Sequence, residues 1–418
     1  MIKLKSRIAD SVLSAEGEKS FIWAYDHMPS LTKTIKDLEN KKPLKGKIVA
    51  VCLHITKETS VLVIGLKRLG AEVYLAAANP LSTQDDIAAY LVSEGINVYA
   101  WSRQSPEEYQ ECIRIILRSK PDILLDDGAD THAMIHQDPE FKDLSLIGGA
   151  EETTTGIIRL KALEKTGKLR YPIIGVNNAF TKYLFDNRYG TGQSTMDGIL
   201  RATSLLIAGK KVVVCGYGWV GKGIAMRARG LGGIVTITEV DPFRALEARM
   251  DGHEVMPIGE AAKIGDIFIT ATGQYQIIRG EHFQLMKNGV IIANAGHFNV
   301  EIDVDAIEKD KVKKKVVRKH VNEYIMKNGK KIYLVAEGRI ANLVAAEGHP
   351  PEVMSLSFTN QILSAIYLVE NGKTMKKIVN NVPIEIDRQV AINTLEALDI
   401  KIDIPTKEQI KYGESWII

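Results

Sequence analysis

Short apolar runs alternate with stretches of helical periodicity along most of the chain. The first clear run is KGKIVAVCLH, with a strand near Ile48–Leu53, followed by KETSVLVIGLKRLG, whose apolar residues recur at helical spacing. AEVYLAAANP reads as the next strand, residues 86–93 as a helix, INVYAW as a strand and residues 106–118 as a helix. PDILLDDGAD, the helix opening at EETTTGIIRLKALEKTG, and YPIIGVNN continue the rhythm. Strands separated by helices of about 10–15 residues predict a parallel sheet built from βαβ units. A helical pattern over residues 191–208 then carries the chain on without a Pro- or Gly-rich linker. A second series follows: KKVVVCGYG, GGIVTITEVD, HEVMPI, GDIFITATG, GVIIANAGH and KKIYLVAEG. The fold class is therefore α/β, with two doubly wound parallel-sheet domains and a short C-terminal tail. The first domain takes residues 1–185 and, by a helical return, 346–395; the second takes 186–345 and the tail 396–418. The basic stretch over 311–319, KVKKKVVRK, reads as a solvated face alternating with core Val316 and Val317.

Composition narrows the partners. With 45% hydrophobic and 25% charged residues over 418 positions, the chain can bury two large cores and is neither disordered nor fibrous. A net charge of +3 supplies no field for nucleic acid or a membrane surface. Cys52, Cys112 and Cys215 form no CxxC pair and are odd in number, as expected of reduced thiols in the cytoplasm. The N-terminus MIKLKSRIAD carries charges where a signal peptide needs an apolar run.

One motif carries chemistry by its context. VVVCGYGWVGKG sets Gly216, Gly218 and Gly221 as G-x-G-x-x-G between a strand and a helix. The first glycine permits a tight turn, the second lets a pyrophosphate reach the backbone, and the third lets helix and strand pack closely. Glu239 ends the following strand, where a carboxylate accepts both adenosine-ribose hydroxyls and repels a 2′-phosphate, so NAD is expected over NADP, for which Arg244 leaves a small opening.

Ligands of open α/β sheets bind beyond the carboxyl ends of the strands, and there the first series is uniformly polar. His54, Thr56 and Glu58 follow one strand, and Asn79 and Gln84 the next. Asp126, Asp127 and Asp130 come after them, then Glu151, Glu152 and Asn177, with Lys182, Asp186 and Asn187 just beyond. Singly, turns and helix caps account for each; on one sheet edge together they form a polar pocket. The second series adds His297, expected to face the cofactor, and Asn342 and His349. No metal site is expected: HExxH is absent, the acidic groups lie far apart in sequence, and the i,i+4 pair His132 and His136 has no evident third ligand.

These clusters, in order, resemble the S-adenosyl-L-homocysteine hydrolase family. The resemblance rests on CLHITKET, NPLSTQDD, DDGAD, EETTTG, TKYLFDNRYG, GYGWVGKG, TEVDP, TATG, AGHFNVEID, AEGRIANL, GHPPEVMSLSFTNQ and VPIEIDRQVA, from position 51 to about 390. It implies reversible hydrolysis of S-adenosylhomocysteine to adenosine and homocysteine, a thioether cleavage in the methyl cycle. Oxidation of the ribose 3′-hydroxyl by NAD, β-elimination, water addition and re-reduction would accomplish it. The alternatives are S-inosylhomocysteine hydrolysis by the same steps, a 2-hydroxyacid dehydrogenase, and a silent relative.

The resemblance assigns residues as well. Lys182 would be the base at the 3′-hydroxyl, its pKa lowered by burial beside a positive nicotinamide. Asp186, Glu152 and Asn187 would hold Lys182 and the ribose, and Asp127 would manage the C4′ proton. His54 and His297 would serve thiolate and water. Thr56, Glu58, His349 and Met354 would line the adenine pocket, with Glu58 accepting the adenine amine and Thr56 donating to N1, and Asn177 would also bind substrate. Thr153, Thr154, Thr155, Asn187, Gly216, Gly218, Val220, Gly221, Glu239, Thr272 and Asn342 would hold one tightly bound NAD per subunit of a homotetramer. Departures from the family pattern are Thr191 for Cys, Trp219, Asn299 and Asn178 each for Asp, and Glu347 for Met. The ending SWII lacks the family's Lys and Tyr tail, which predicts an inter-subunit clamp that is weaker or differently built.

Overall fold

The computed structural model describes residues 5–416. Its strands form two sheets. The first contains β1 (Ile48–Leu53), β2 (Glu72–Ala77), β3 (Asn97–Tyr99), β4 (Ile123–Asp126), β5 (Gly148–Glu151), β6 (Ile173–Gly175) and β15 (Val379–Asn381). All pairs are parallel, in the order β15-β6-β5-β4-β1-β2-β3, so the strand order reverses between β1 and β4.

The second sheet holds β7 (Lys211–Cys215), β8 (Ile234–Thr238), β9 (Glu254–Val255), β10 (Ile267–Thr270), β11 (Val290–Asn294), β12 (Lys311–Arg318), β13 (Val321–Met326) and β14 (Lys331–Val335). Their order is β12-β13-β14-β11-β10-β7-β8-β9, and the reversal falls between β7 and β10. Only the β12–β13 and β13–β14 pairs run antiparallel.

Both sheets are covered on two faces, which explains the unbroken apolar runs. Val49, Val51 and Leu53 of β1 join one core cluster, while Ala50 and Cys52 join the cluster on the opposite face. In β7, Val212 and Val214 divide likewise from Val213 and Cys215.

Three expectations need correction. Val316 and Val317 are not core: they are 74% and 38% exposed on β12, an edge strand. Lys311, Lys313, Lys314, Lys315 and Arg318 on the same strand discourage edge pairing with another chain. The helix expected over 191–208 ends at Thr203, because Ser204 turns left-handed at φ 55° and leaves Leu205 and Leu206 exposed. The C-terminal return brings more than helices: β15 adds a strand beside β6, and the Pro351–Asn371 helix packs against β4 and β5. The early helices Ser14–Asp26 and Pro29–Leu38 also belong to the first core, through Phe21, Ala24, Leu31 and Ile35. Among the described residues no helix is long and apolar enough to cross a membrane.

Candidate active site

A cavity of about 1100 Å³ lies between the carboxyl ends of the two sheets and takes its wall from both. Nearly every candidate residue lines it; Asn177 and Gly221 stand just behind the wall. Asn79, Gln84, Asp126, Asp130 and Glu151 do not reach it: they cap turns or brace the neighbouring loops.

On the second sheet, β7 runs into Gly216, whose φ of 100° belongs to the left-handed region that a side chain disfavours. A Cβ at Gly221 would overlap the Gly216 carbonyl, so helix and strand meet there only through glycine. Gly218 is different: a Cβ would find nothing nearer than the Arg244 guanidinium at 3.7 Å, which leaves a backbone cradle open to the cavity. Glu239 accepts the Tyr217 N–H at 2.7 Å, the Val240 N–H at 2.7 Å and the Asp241 N–H at 3.1 Å, fixing its carboxylate at the rim. Thr272 is anchored by donating to Glu301 at 2.7 Å. Asn342 Oδ1 is buried without a hydrogen-bond partner, although its amide donates to Ser194 at 3.3 Å. An orphaned acceptor, an open glycine cradle and a fixed carboxylate on one rim are groups of the kind a dinucleotide needs. Trp219, where the family pattern has Asp, stacks obliquely on Tyr183 at 5.2 Å and takes Lys222 Nζ over its ring at 4.4 Å.

On the first sheet, the turn through Tyr183–Gly190 is a π-helix, which sets Lys182, Asp186 and Asn187 on one buried face. Lys182 Nζ lies 2.6 Å from Asp186, 2.7 Å from Asn187 Oδ1, 3.4 Å from Asn177 Oδ1 and 3.7 Å from Glu152. Burial pulls the Lys182 amine down, but the Asp186 and Glu152 carboxylates outweigh it and raise the pKa. That reverses the expected lowering. Asp186 is held well below the usual carboxylate range: burial opposes ionisation, and His349 and Lys182 overcome it. Glu152 is pushed up to about 7 by burial, with Lys182 opposing.

His349, expected in the substrate-base pocket, instead hydrogen-bonds Asp186 through Nδ1 and meets Asn342 at 3.0 Å and Thr191 at 3.2 Å through Nε2. Sequence reasoning also missed what holds Glu152: Ser357 donates to one carboxylate oxygen, and Gln361 donates to the other at 2.6 Å. The signal was there, as two buried polar side chains four residues apart on the apolar Pro351–Asn371 helix.

His297 crosses from the second sheet to the first. Its Nδ1 lies 3.9 Å from Asp127, and its ring centre lies 5.8 Å from that of His54. His54 Nε2 approaches Asp127 at 3.5 Å, and its Nδ1 pairs with Ser82 at 2.6 Å. Burial drops the His54 imidazole to about 4, against the pull of Asp127. Sequence spacing gives no hint that the ligand-type atoms of His54, Asp127 and His297 fall within 4.8 Å of one another, as do those of Asp126, His132 and Glu151. His132 and His136 themselves are bound up locally, with Tyr171 and the His132 carbonyl.

At the far end, Thr56 caps the Lys57–Arg68 helix by accepting the Thr59 N–H at 3.5 Å. Glu58, in the first turn of that helix, is buried; burial pushes its carboxyl up and the neighbouring Lys57 counters it. Met354 and Phe358 supply apolar wall.

The family profile described as S-adenosyl-L-homocysteine hydrolase matches residues 5–148, and that of the same family's NAD binding domain matches residues 187–348. The chain is 56% identical to the adenosylhomocysteinase of Saccharolobus solfataricus over 411 residues, 98% of each chain. It is 55% identical to that of Aquifex aeolicus over 410 residues, again 98% of each. Against that of Thermococcus kodakarensis it is 52% identical, over 98% of this chain and 97% of the relative. The nucleotide cradle, the buried lysine–carboxylate network and this likeness along nearly the whole length agree: the chain belongs to the S-adenosyl-L-homocysteine hydrolase family.

Proposed function

We propose that this chain reversibly hydrolyses S-adenosyl-L-homocysteine to adenosine and L-homocysteine, with NAD held tightly at one per subunit. The observation that carries the reading is one cavity joining the Gly216–Gly221 loop to the network of Lys182, Asp186 and Glu152. NAD, when bound, supplies reversible two-electron oxidation at the ribose 3′ carbon, which acidifies C4′ and lets the C5′ thioether leave by elimination. Lys182 Nζ exchanges a proton with the 3′-hydroxyl. To accept that proton Lys182 must first be the neutral amine, and Glu152, 3.7 Å away with its carboxyl pushed up to about 7, is the group placed to take the ammonium's proton and return it. Asp127 Oδ1, buried without a hydrogen-bond partner, suits acceptance of the C4′ proton. His54, neutral at pH 7, and His297 flank Asp127 and serve the departing thiolate and the incoming water.

Thr56 and Glu58 read the base. The Thr56 oxygen accepts the helix-cap bond while its hydroxyl turns to the Glu58 carboxylate; on base binding that hydroxyl would redirect to adenine N1 and Glu58 would accept the exocyclic amine. Met354 packs on the ring, while His349 serves the ribose side through Asp186. Residues 1–185 and 346–395 act as the substrate domain and 186–345 as the cofactor domain. A cytoplasmic homotetramer completes the proposal, and the three buried free cysteines suit a reducing compartment.

The test is redox stoichiometry. Purified protein should release NAD near one per subunit on denaturation, and added adenosine should reduce it only partially and transiently. Lys182→Ala should keep NAD bound but slow that reduction by about 10²–10⁴-fold. Accumulating, stoichiometric NADH would establish a dehydrogenase instead, and unchanged reduction in the variant would remove Lys182 as the base.

A further inference from the structure

Lys57 is absorbed by none of the roles above, and it lies not on the main cavity but in a smaller neighbouring pocket of about 220 Å³, next to Glu58, which does line the cavity. Its side chain is only 12% exposed, and Nζ stands 3.1 Å from Glu58 Oε1 and 3.2 Å from Glu347 Oε2. Glu58 is 2% exposed at its side chain, and Oε1 has no hydrogen-bond partner, so the Lys57 ion pair is what compensates that oxygen. Glu347 is in turn 3.4 Å from Arg201, on the Thr191–Thr203 helix. A chain of four charges thus runs from the base pocket to the helix that leads into the second sheet. A buried carboxylate with no cation beside it takes up a proton, because burial penalises the charged form.

We propose that Lys57 is a specificity-determining positioning residue: it fixes Glu58 as an ionised, acceptor-only group and thereby makes the pocket prefer an aminopurine over an oxopurine. The inference rests on the reading of Glu58 as the group that meets the base. Adenine presents an amine donor beside the N1 acceptor; hypoxanthine presents an O6 acceptor beside an N1–H donor. An ionised Glu58 accepts from the adenine amine but opposes O6 with a second acceptor. A protonated Glu58 offers one O–H and one C=O, and so satisfies either edge. Discrimination therefore depends on the charge of Glu58, and that charge depends on Lys57. Glu347 contributes by holding the ammonium from the other side, 146 positions from the Arg201 that steadies it. A Lys57 whose only task was to cap or solvate its helix would leave the preference between bases untouched.

The experiment compares kcat/KM for S-adenosylhomocysteine and S-inosylhomocysteine in holoenzyme variants whose NAD content and thermal midpoint match the parent. Lys57→Met should lower the adenosyl-to-inosyl ratio at least about 10-fold, chiefly by raising relative use of the inosyl substrate. Lys57→Arg should restore most of the parent ratio, since it returns the charge. Glu58→Gln, an amide with both donor and acceptor, should collapse the ratio as well. If Glu58→Gln collapses it and Lys57→Met leaves it unchanged, the Lys57 proposal is overturned while the base-reading role of Glu58 stands. If neither variant moves the ratio, Glu58 does not read the base and both fall. Should Lys57→Met fold poorly, Glu347→Gln, on the exposed side of the same pair, must lower the ratio in the same direction or the proposal fails.

Discussion

His54 is poised by opposing forces that a pH titration can separate. Burial takes its imidazole from 6.5 to about 4, Asp127 pulls it upward, and His297 adds to the lowering. The folded protein therefore binds this proton less readily than the unfolded chain does. The stability tied to neutral His54 is complete above pH 6.5 and is lost as pH falls toward about 4. At about 1.4 kcal/mol per unit, the loss amounts to roughly 3 kcal/mol. Urea unfolding of the parent should thus steepen with acid across that window, and His54→Asn should flatten the curve. Parallel curves would mean that His54 titrates normally in the fold. Lys182 carries the same lesson with the opposite outcome: it is as deeply buried, yet two carboxylates within 4 Å reverse the direction that burial alone sets.

Among elements, the passage between the sheets is the most tightly built. The π-helical turn Tyr183–Gly190 and the Thr191–Thr203 helix come closest to the Trp219–Gly230 helix at glycines. A Cβ at Gly223 would overlap the Arg188 carbonyl, and one at Gly192 would overlap the Gly223 backbone. Backbone cannot yield as a flexible side chain can, so the crossing would have to open. Opening it would move Asn187 and Lys182, on the turn, away from the Gly218 cradle at the start of the helix. Gly223→Ala should therefore lower the thermal midpoint by several degrees, on the order of 1–3 kcal/mol, and loosen NAD. Gly230→Ala is the control at the end of the same helix, where nothing lies within 4 Å of a Cβ. Equal behaviour of the two variants would show that the close crossing is not structural.

At the scale of the whole molecule, the surface bears an apolar set that the single chain leaves open. Val240, Phe243, Leu246 and Met250 are exposed near the Pro242–Met250 helix, and Ile400, Ile402, Ile404 and Trp416 are exposed toward the C-terminus. At about 25 cal/mol per Å², covering such groups favours association. The proposed homotetramer gives them somewhere to go, and multi-angle light scattering at micromolar concentration should give about four times the 46.2 kDa chain mass. A monomer there would refute the assembly.

The chain's own order of residues determined the two α/β series, the strand at Ile48–Leu53 and the dinucleotide turn at Gly216, Gly218 and Gly221, because periodicity and turn chemistry are local. The position of Glu239 on the cavity wall was legible for the same reason: it directly follows the very next strand. Tertiary structure decided the rest. β15 has three residues, too few for a pattern, and gains its identity only by pairing with β6 across some 200 positions. Val316 and Val317 alternate as core residues do, but β12 is an edge, and no local pattern reports which strand lacks a neighbour. That His297 meets His54 and Asp127 follows from how the two sheets face one another. The pKa of Lys182 and the charge of Glu58 turn on ångström-scale distances to partners, and Coulomb energy falls off with a separation that sequence does not contain.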